Sequence, residues 1–492
     1  MKYFATTAMI TGIVLSTAAI AAASSDPIEG KWYGMAGTPL DRVEVGFEFK
    51  RNDKNQLKAY VYEPVENFYG FELPGVVGRN NDKYVVPAWR LSLTLKNGRL
   101  EGTFMGPPMP ISLTRAEKLP SEVPLPDVPK GPGPKWQSKL GSAIYAPAAV
   151  RDGIAYIGTG GGVFNAIDVR DGDFVWTFVA GRPIYGAALA TNEHVYFVCD
   201  NGFLFKLDRH SGKEIWRYDL GDERVTRPLL HPILVGSRFV GAFDMDTTAP
   251  TPLLKDAVLY VGSGDGSMHA VSATTGKRVW RFAAKGKIRT DAVVDGPRVM
   301  FGTFDGIVYA LDRRTGHEIW HKDSHAEVTS SPLVMGDKLI VGNRGGLLTA
   351  FSSETGDIAW RRVFWGSSVE STPVAGDGSL FYIGSSDMRR ISLIDSKDGR
   401  VLWRTDVCGI AWPRPAVSER LVYASTAGIN PYYMRHVGGL VALDRASGKI
   451  RWRWPTPQTA SLFDGFLAGP VIEANIVVVG GLDGNLYGFP AG

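Results

Sequence analysis

The chain has 492 residues, with 54 Lys and Arg against 50 Asp and Glu, so its formal net charge is only +4. A basic excess this small and this scattered excludes nucleic acid as the partner class, and the length leaves room for a large core and a second domain. The 58 glycines suit a protein made of tight turns.

Residues 1–23 have the plan of a secretory signal peptide. Lys2 supplies the positive start, Ala8–Ala22 is apolar and small, and Ala21-Ala22-Ala23 offers a cleavage site. The apolar run is short for a membrane span and has no basic residues on its far side. No Cys follows it that could carry a lipid, the first being Cys199. A periplasmic or secreted protein is expected, with no transmembrane span once the signal is removed. Residues 26–115 read as a small antiparallel β barrel or sandwich. Val43–Phe49, Leu57–Tyr62, Leu91–Leu95 and Leu100–Phe104 alternate as half-buried strands do, and Asn97-Gly98 is a hairpin turn. The opening Gly30-Lys31-Trp32-Tyr33-Gly34 resembles the first strand of lipocalin-like barrels, and Trp32 and Trp89 are expected in the core. Residues 116–135 form a linker whose prolines at 120, 124, 126, 129, 132 and 134 hold it extended and prevent sheet pairing.

From Trp136 to the end the chain repeats one unit, seen most clearly in Met300–Trp320. There a strand ends at Gly302, Asp305-Gly306 turns, Ile307–Leu311 forms a second strand, Thr315-Gly316 turns again, and Glu318–Trp320 opens a third. Ile307–Leu311 is apolar on both faces and needs cover on both sides, which only copies of the unit can give. The closing Trp recurs as Trp136, Trp176, Trp216, Trp280, Trp320, Trp360, Trp403 and Trp452, at spacings by subtraction of 40, 40, 64, 40, 40, 43 and 49. A period near 40 with four short strands per unit is a propeller blade. The last unit, Gly480–Pro490, has no Trp after it, and Trp136 has no unit before it. The strand carrying Trp136 is therefore expected to complete the last of eight blades and close the ring.

Ala310-Leu311-Asp312, Thr275-Gly276-Lys277 and the closing Trp in every unit resemble the pyrroloquinoline-quinone (PQQ) enzyme-like propeller repeat, over nearly all of 136–492. No Trp-Asp dipeptide occurs, which argues against the WD40 type. The resemblance implies an all-β, eight-bladed propeller in which the repeated Trp docks one blade on the next. A large rigid ring suits that task. The family includes quinoprotein dehydrogenases, whose cofactor is PQQ with calcium, and non-enzymatic scaffolds such as the lipoprotein that helps assemble outer-membrane proteins.

Signals for catalysis are weak. Cys199 and Cys408 fall in blades two and six, half a turn apart, too far for a disulfide, which needs Cα atoms within about 7 Å. The adjacent Cys pair often found beside the quinone is absent, as is a Cys-x-x-Cys-His haem site. His317, His321 and His325 are spaced for a helix but sit across a turn and a strand, so they read as surface residues. No nucleophile elbow or phosphate loop stands in a strand–turn–helix context. No catalytic residue and no metal site is assigned, and no cofactor is expected, PQQ with calcium being the alternative.

Binding is better marked. Residues 222–248, 426–438 and 454–466 are enlarged connections that all leave one face of the ring, where a rigid scaffold usually places binding loops. The segments leading from each closing Trp into the next innermost strand carry charge that packing alone would not need: Arg182, Arg227, Arg289, Asp291, Glu327, Glu370, Arg414 and Asp464. Tyr145, Tyr185 and Trp412 sit at comparable places. Such a channel mouth suits a polar ligand or a partner's loop, and Glu327 and Glu370, from neighbouring blades, could share a cation or a proton. The plainer alternative is that these charges neutralise one another in a wet channel. The expectation is an exported, monomeric binding or scaffold protein whose loop-bearing face takes a protein partner, a polar small molecule or an oligosaccharide. The alternatives are a PQQ-dependent oxidoreductase and a carbohydrate-active enzyme, the latter requiring paired carboxylates near the axis.

Overall fold

A computed structural model describes residues 26–37, 42–66, 68–87, 90–104, 109–122, 127–221, 234–235, 238–239, 246, 248–364, 367–386, 388–429, 436–457 and 463–492. Residues 1–23, Trp89 and Arg227 lie outside the described residues, as does most of the 222–248 connection. Among the described residues everything regular is β except one 3-10 turn, Pro64–Glu66, and no helix is long and apolar enough to cross a membrane. The chain divides into two compact units: residues 1–37, 44–62 and 70–120, and residues 38–43, 63–69 and 121–492.

The first unit is built on a curled antiparallel sheet of nine strands, a half-barrel. The alternating segments form the strands Val43–Arg51, Leu57–Glu63, Leu91–Lys96 and Arg99–Phe104. Phe47, Phe49, Val61, Leu93, Leu100 and Phe104 are buried, and Trp32 is 1% exposed with its indole N–H donated to the Ile28 carbonyl at 2.7 Å. Asn97 and Gly98 both have positive φ (48° and 75°), as a two-residue type I′ hairpin demands. Sequence reading missed the strands Phe68–Glu72, Gly78–Asn80, Lys83–Val86 and Met109–Arg115.

The second unit holds eight blades of four strands each, the seventh extended by Phe463–Gly465, and seven of them are continuous in sequence: 149–179, 189–219, 253–283, 293–323, 333–363, 374–406 and 416–455. The eighth combines Val471–Glu473, Ile476–Gly480 and Asn485–Pro490 with Trp136–Lys139, whose Trp136 lies opposite Gly488. The ring is closed by that strand, as its unpaired Trp required. The central strands bury both faces. In blade four, Val299, Phe301, Tyr309 and Leu311 pack on blade three, while the alternate residues Met300, Val308 and Ala310 pack on blade five. Period-2 alternation thus joins each blade to two neighbours.

Docking by Trp has a common geometry. Trp280 donates its indole N–H to the Arg313 carbonyl of the next blade at 3.0 Å. Gly316 lies flat on the same ring, where a Cβ would stand 2.7 Å away. Its φ of 77° also requires glycine. The linker departs from expectation. Arg453, on the outer strand of blade seven, donates its N–H to the Pro129 carbonyl at 3.0 Å and accepts from Gly131 at 2.8 Å, a parallel bridge centred on Lys130. Prolines do not prevent this pairing, because Pro129 contributes only its carbonyl and Gly131 the N–H.

Candidate functional site

The site is set by register. In six blades the second strand ends in a glycine with no room for a Cβ, because a buried residue of the following connection occupies the space. These pairs are Gly158 with Ile184, Gly262 with Ile288, Gly302 with Val328, Gly342 with Val369, Gly384 with Ala411 and Gly480 with Ile144. The residues one and three positions after each pivot turn to the axis. They line a cavity of about 340 Å³ to which all eight blades contribute, within the size range of ligand pockets.

The wall has two sides. Blades eight, one and two give Leu467, Gly469, Val471, Tyr145, Pro147, Tyr185 and Ala187. Tyr145 and Tyr185 meet edge to face, with ring centroids 5.1 Å apart. Blades three to seven give Thr251, Arg289, Asp291, Thr329, Ser331, Glu370, Thr372, Trp412 and Arg414. Hydrogen bonds tie this polar arc from blade to blade. Thr251 donates its N–H to the Asp291 carboxylate at 2.6 Å, and the Asp291 N–H donates to Ser331 Oγ at 2.9 Å. Ser330 donates to the Ser371 carbonyl at 2.9 Å, and Ser371 to the Pro413 carbonyl at 3.2 Å.

Most of the charges are matched. Arg289 is held bidentate by Asp246, at 2.7 and 2.9 Å, and Lys287 lies 3.3 Å from the same carboxylate. Glu370 pairs with Arg344 at 3.3 Å and accepts from Thr329 at 3.3 Å. Burial pushes the Asp291 carboxyl above its usual range, against the Thr251 hydrogen bonds and the Arg414 charge. Arg414 is exposed and makes no hydrogen bond or ion pair to another described residue. Gly469 leaves the slot for its stem, since a Cβ there would stand 2.9 Å from Arg414 Cγ.

Of the residues singled out in the sequence, Arg289, Asp291, Glu370, Trp412 and Arg414 line the cavity, with Tyr145 and Tyr185. Arg182 and Glu327 do not; both are exposed and precede their pivots, Ile184 and Val328. Glu370 is held by Arg344 instead of sharing a cation with Glu327. Asp464 is also outside the lining. It is buried in Phe463–Gly465, paired to Leu421–Ile429, with its carboxylate against the N–H groups of Gly438 and Gly428. That pairing brings the described ends of the 426–438 and 454–466 connections together. Thr251, Thr329, Ser331 and Thr372 escaped sequence reading, although counting from the docking Trp finds two of them: 329 and 331 are 9 and 11 residues after Trp320, as 289 and 291 are after Trp280.

The donor set does not fit a calcium-held quinone. Calcium takes six to eight oxygens, and the lining supplies two carboxylates, Asp291 and Glu370, both already engaged. Among the described residues no three His, Cys, Asp or Glu side chains gather to hold a metal. Cys199 and Cys408 are buried free thiols. Burial pushes Cys199 up to about 11 and also raises Cys408, so neither is an activated nucleophile.

A family model described as outer membrane protein assembly factor BamB matches residues 133–243, 237–384 and 387–491. The quinoprotein alcohol dehydrogenase PedE of Pseudomonas putida is 31% identical over 245 residues, 42% of this chain and 38% of that protein. The outer membrane protein assembly factor BamB of Yersinia pestis is 31% identical over 120 residues, 24% of this chain and 28% of that protein. The chain therefore spans well under half the length of these relatives. The crystal structure of quinohemoprotein alcohol dehydrogenase from Comamonas testosteroni superposes with a TM-score of 0.53 at 16% identity, covering 73% of this chain and 76% of that one, a likeness of fold alone.

Proposed function

The chain belongs to the family described as outer membrane protein assembly factor BamB, and from that membership we propose that it is an exported binding propeller, which takes a protein partner or polar ligand at the axial cavity of its loop-bearing face. The observation that carries this reading is the cavity itself, with one apolar side, one polar side and, between them, Arg414, which makes no hydrogen bond or ion pair to another described residue. Charge reversal tests the reading. Arg414→Glu changes an exposed side chain but also puts a like charge beside the buried Asp291, so the melting temperature is read together with binding: the variant should still fold, while the molecule that co-purifies from the protein's own source is lost. Unchanged co-purification would place binding elsewhere.

The quinoprotein relatives favour a second reading, a PQQ-dependent oxidoreductase. Mixing the purified protein with PQQ and calcium and recording the absorption spectrum decides between the two. A stoichiometric bound-quinone band would establish the oxidoreductase, and its absence is the outcome expected from the donor set.

A further inference from the structure

We propose that the ligand of the axial cavity is a single carboxylate carried on an apolar or aromatic body, with Arg414 pairing the carboxylate and the Tyr145, Tyr185, Leu467 and Val471 wall taking the body. This rests on the reading of the cavity as the binding site and adds the chemistry of what enters it.

The inference follows from which groups are already used. Asp246 is committed to Arg289 and Lys287, and Glu370 to Arg344 and Thr329. Asp291 accepts from Thr251. Each carboxylate at the cavity thus already faces a donor or a cation, Asp291 lying in the field of Arg414 with no hydrogen bond or ion pair between them. Arg414 offers a planar fork of donors with no partner among the described residues, and that fork matches a carboxylate bidentately. Its position is built: the stem runs through the slot that Gly469 leaves by lacking a side chain. Beside it, on blades eight, one and two, the lining is apolar and aromatic, and a Tyr–Tyr edge-to-face pair presents ring surface rather than charge. A fully polar ligand would waste that half, and a pure hydrocarbon would leave the guanidinium desolvated without a partner.

Two sources carry this chemistry, a small free acid and the last residue of a polypeptide. Calorimetric titration of the purified full chain separates them, using 3-phenylpropionate for the first, N-acetylphenylalanine for the second, and N-acetylphenylalanine amide as the neutral control. At least one acid should bind ten times or more tighter than the amide, and the tighter of the two identifies the source. Arg414→Gln should remove that preference, and Arg414→Lys should restore part of it, since an ammonium pairs a carboxylate without the fork. Gly469→Ala, which crowds the Arg414 stem and its carbonyl, should weaken the acids more than the amide.

Equal binding of acid and amide, both weakened by Tyr185→Ala, would overturn the carboxylate assignment while leaving the cavity as a binding site. Failure of both acids to bind at millimolar concentration, an acid preference that survives Arg414→Gln, or binding of PQQ where neither single acid binds would also overturn it.

Discussion

Gly131 lies against the indole of Trp452, so close that a Cβ on it would stand 2.3 Å from Trp452 Cε3. The other docking tryptophans meet a glycine in the same way, Gly172 on Trp136 and Gly316 on Trp280 among them, but those glycines belong to the turn before the next blade's outer strand. For Trp452 the next outer strand is Trp136–Lys139, and the residue on the ring comes from the proline-rich segment leading into it. The segment therefore supplies the last docking contact of the ring.

Gly131→Ala should destabilise the protein by about 1–3 kcal/mol, the usual cost of forcing a methyl into a packed contact. Gly131 is not among the residues with positive φ, so the cost is steric. Gly133, with nothing within 4 Å of its Cβ position, is the control, and Gly133→Ala should stay within about 0.5 kcal/mol of the parent. Urea unfolding of the two variants checks both.

Trp136→Ala should cost roughly 3–5 kcal/mol. The side chain is 8% exposed, donates to the Val169 carbonyl at 2.8 Å and packs on Gly172 and Gly488. A loss below about 1 kcal/mol in the same unfolding measurement would mean that the closing strand contributes little.

The docking tryptophans are not equivalent. Trp176 donates to the Arg209 carbonyl at 2.8 Å. For Trp216 the corresponding acceptor, the Ala273 carbonyl, is taken by the buried Lys206 amine at 2.9 Å, and the Trp216 N–H is buried without a partner. Trp176→Phe should therefore cost about 1 kcal/mol more than Trp216→Phe, the difference being one buried hydrogen bond.

Much of this was legible in the sequence. The Trp spacing gave the blades, and the Trp136 strand without a preceding unit gave the closure. Sequence reading also reached the axial cavity through Arg289, Asp291, Glu370, Trp412 and Arg414. It missed Thr329 and Ser331 because they are small and uncharged, so nothing in their chemistry marks them; only their register does. It reached Arg182 and Glu327 because charge was followed instead of register. Glu327 is seven residues past Trp320, on the near side of the buried Val328, whereas Arg289 is nine past Trp280. Asp464 misled for another reason. The connection from Trp452 is lengthened and pairs with Leu421–Ile429, which spends its carboxylate on backbone N–H groups.

His269 makes stability depend on pH. Burial pushes its pKa down to about 4, with the Tyr218 hydroxyl 3.2 Å from Nδ1. The unfolded value is about 6.5, so the unfolded chain binds the proton more readily. The contribution is complete above that value and is lost as pH falls toward 4, by about 3 kcal/mol at most. His269→Gln should flatten the fall in melting temperature between pH 6.5 and 4. An identical slope in parent and variant would show that His269 does not set it.

Whether the axial cavity is where the protein binds is tested most directly by crosslinking in place. A photoreactive residue at Thr248, exposed on the cavity lining, is compared with one at Lys397, exposed on the turn before the outer strand Val401–Asp406 of blade six, whose turns leave the opposite face. Illumination in the living source should give an adduct from position 248 and none from 397. Adducts from 397 alone, or the same adducts from both positions, would contradict binding at the axial cavity.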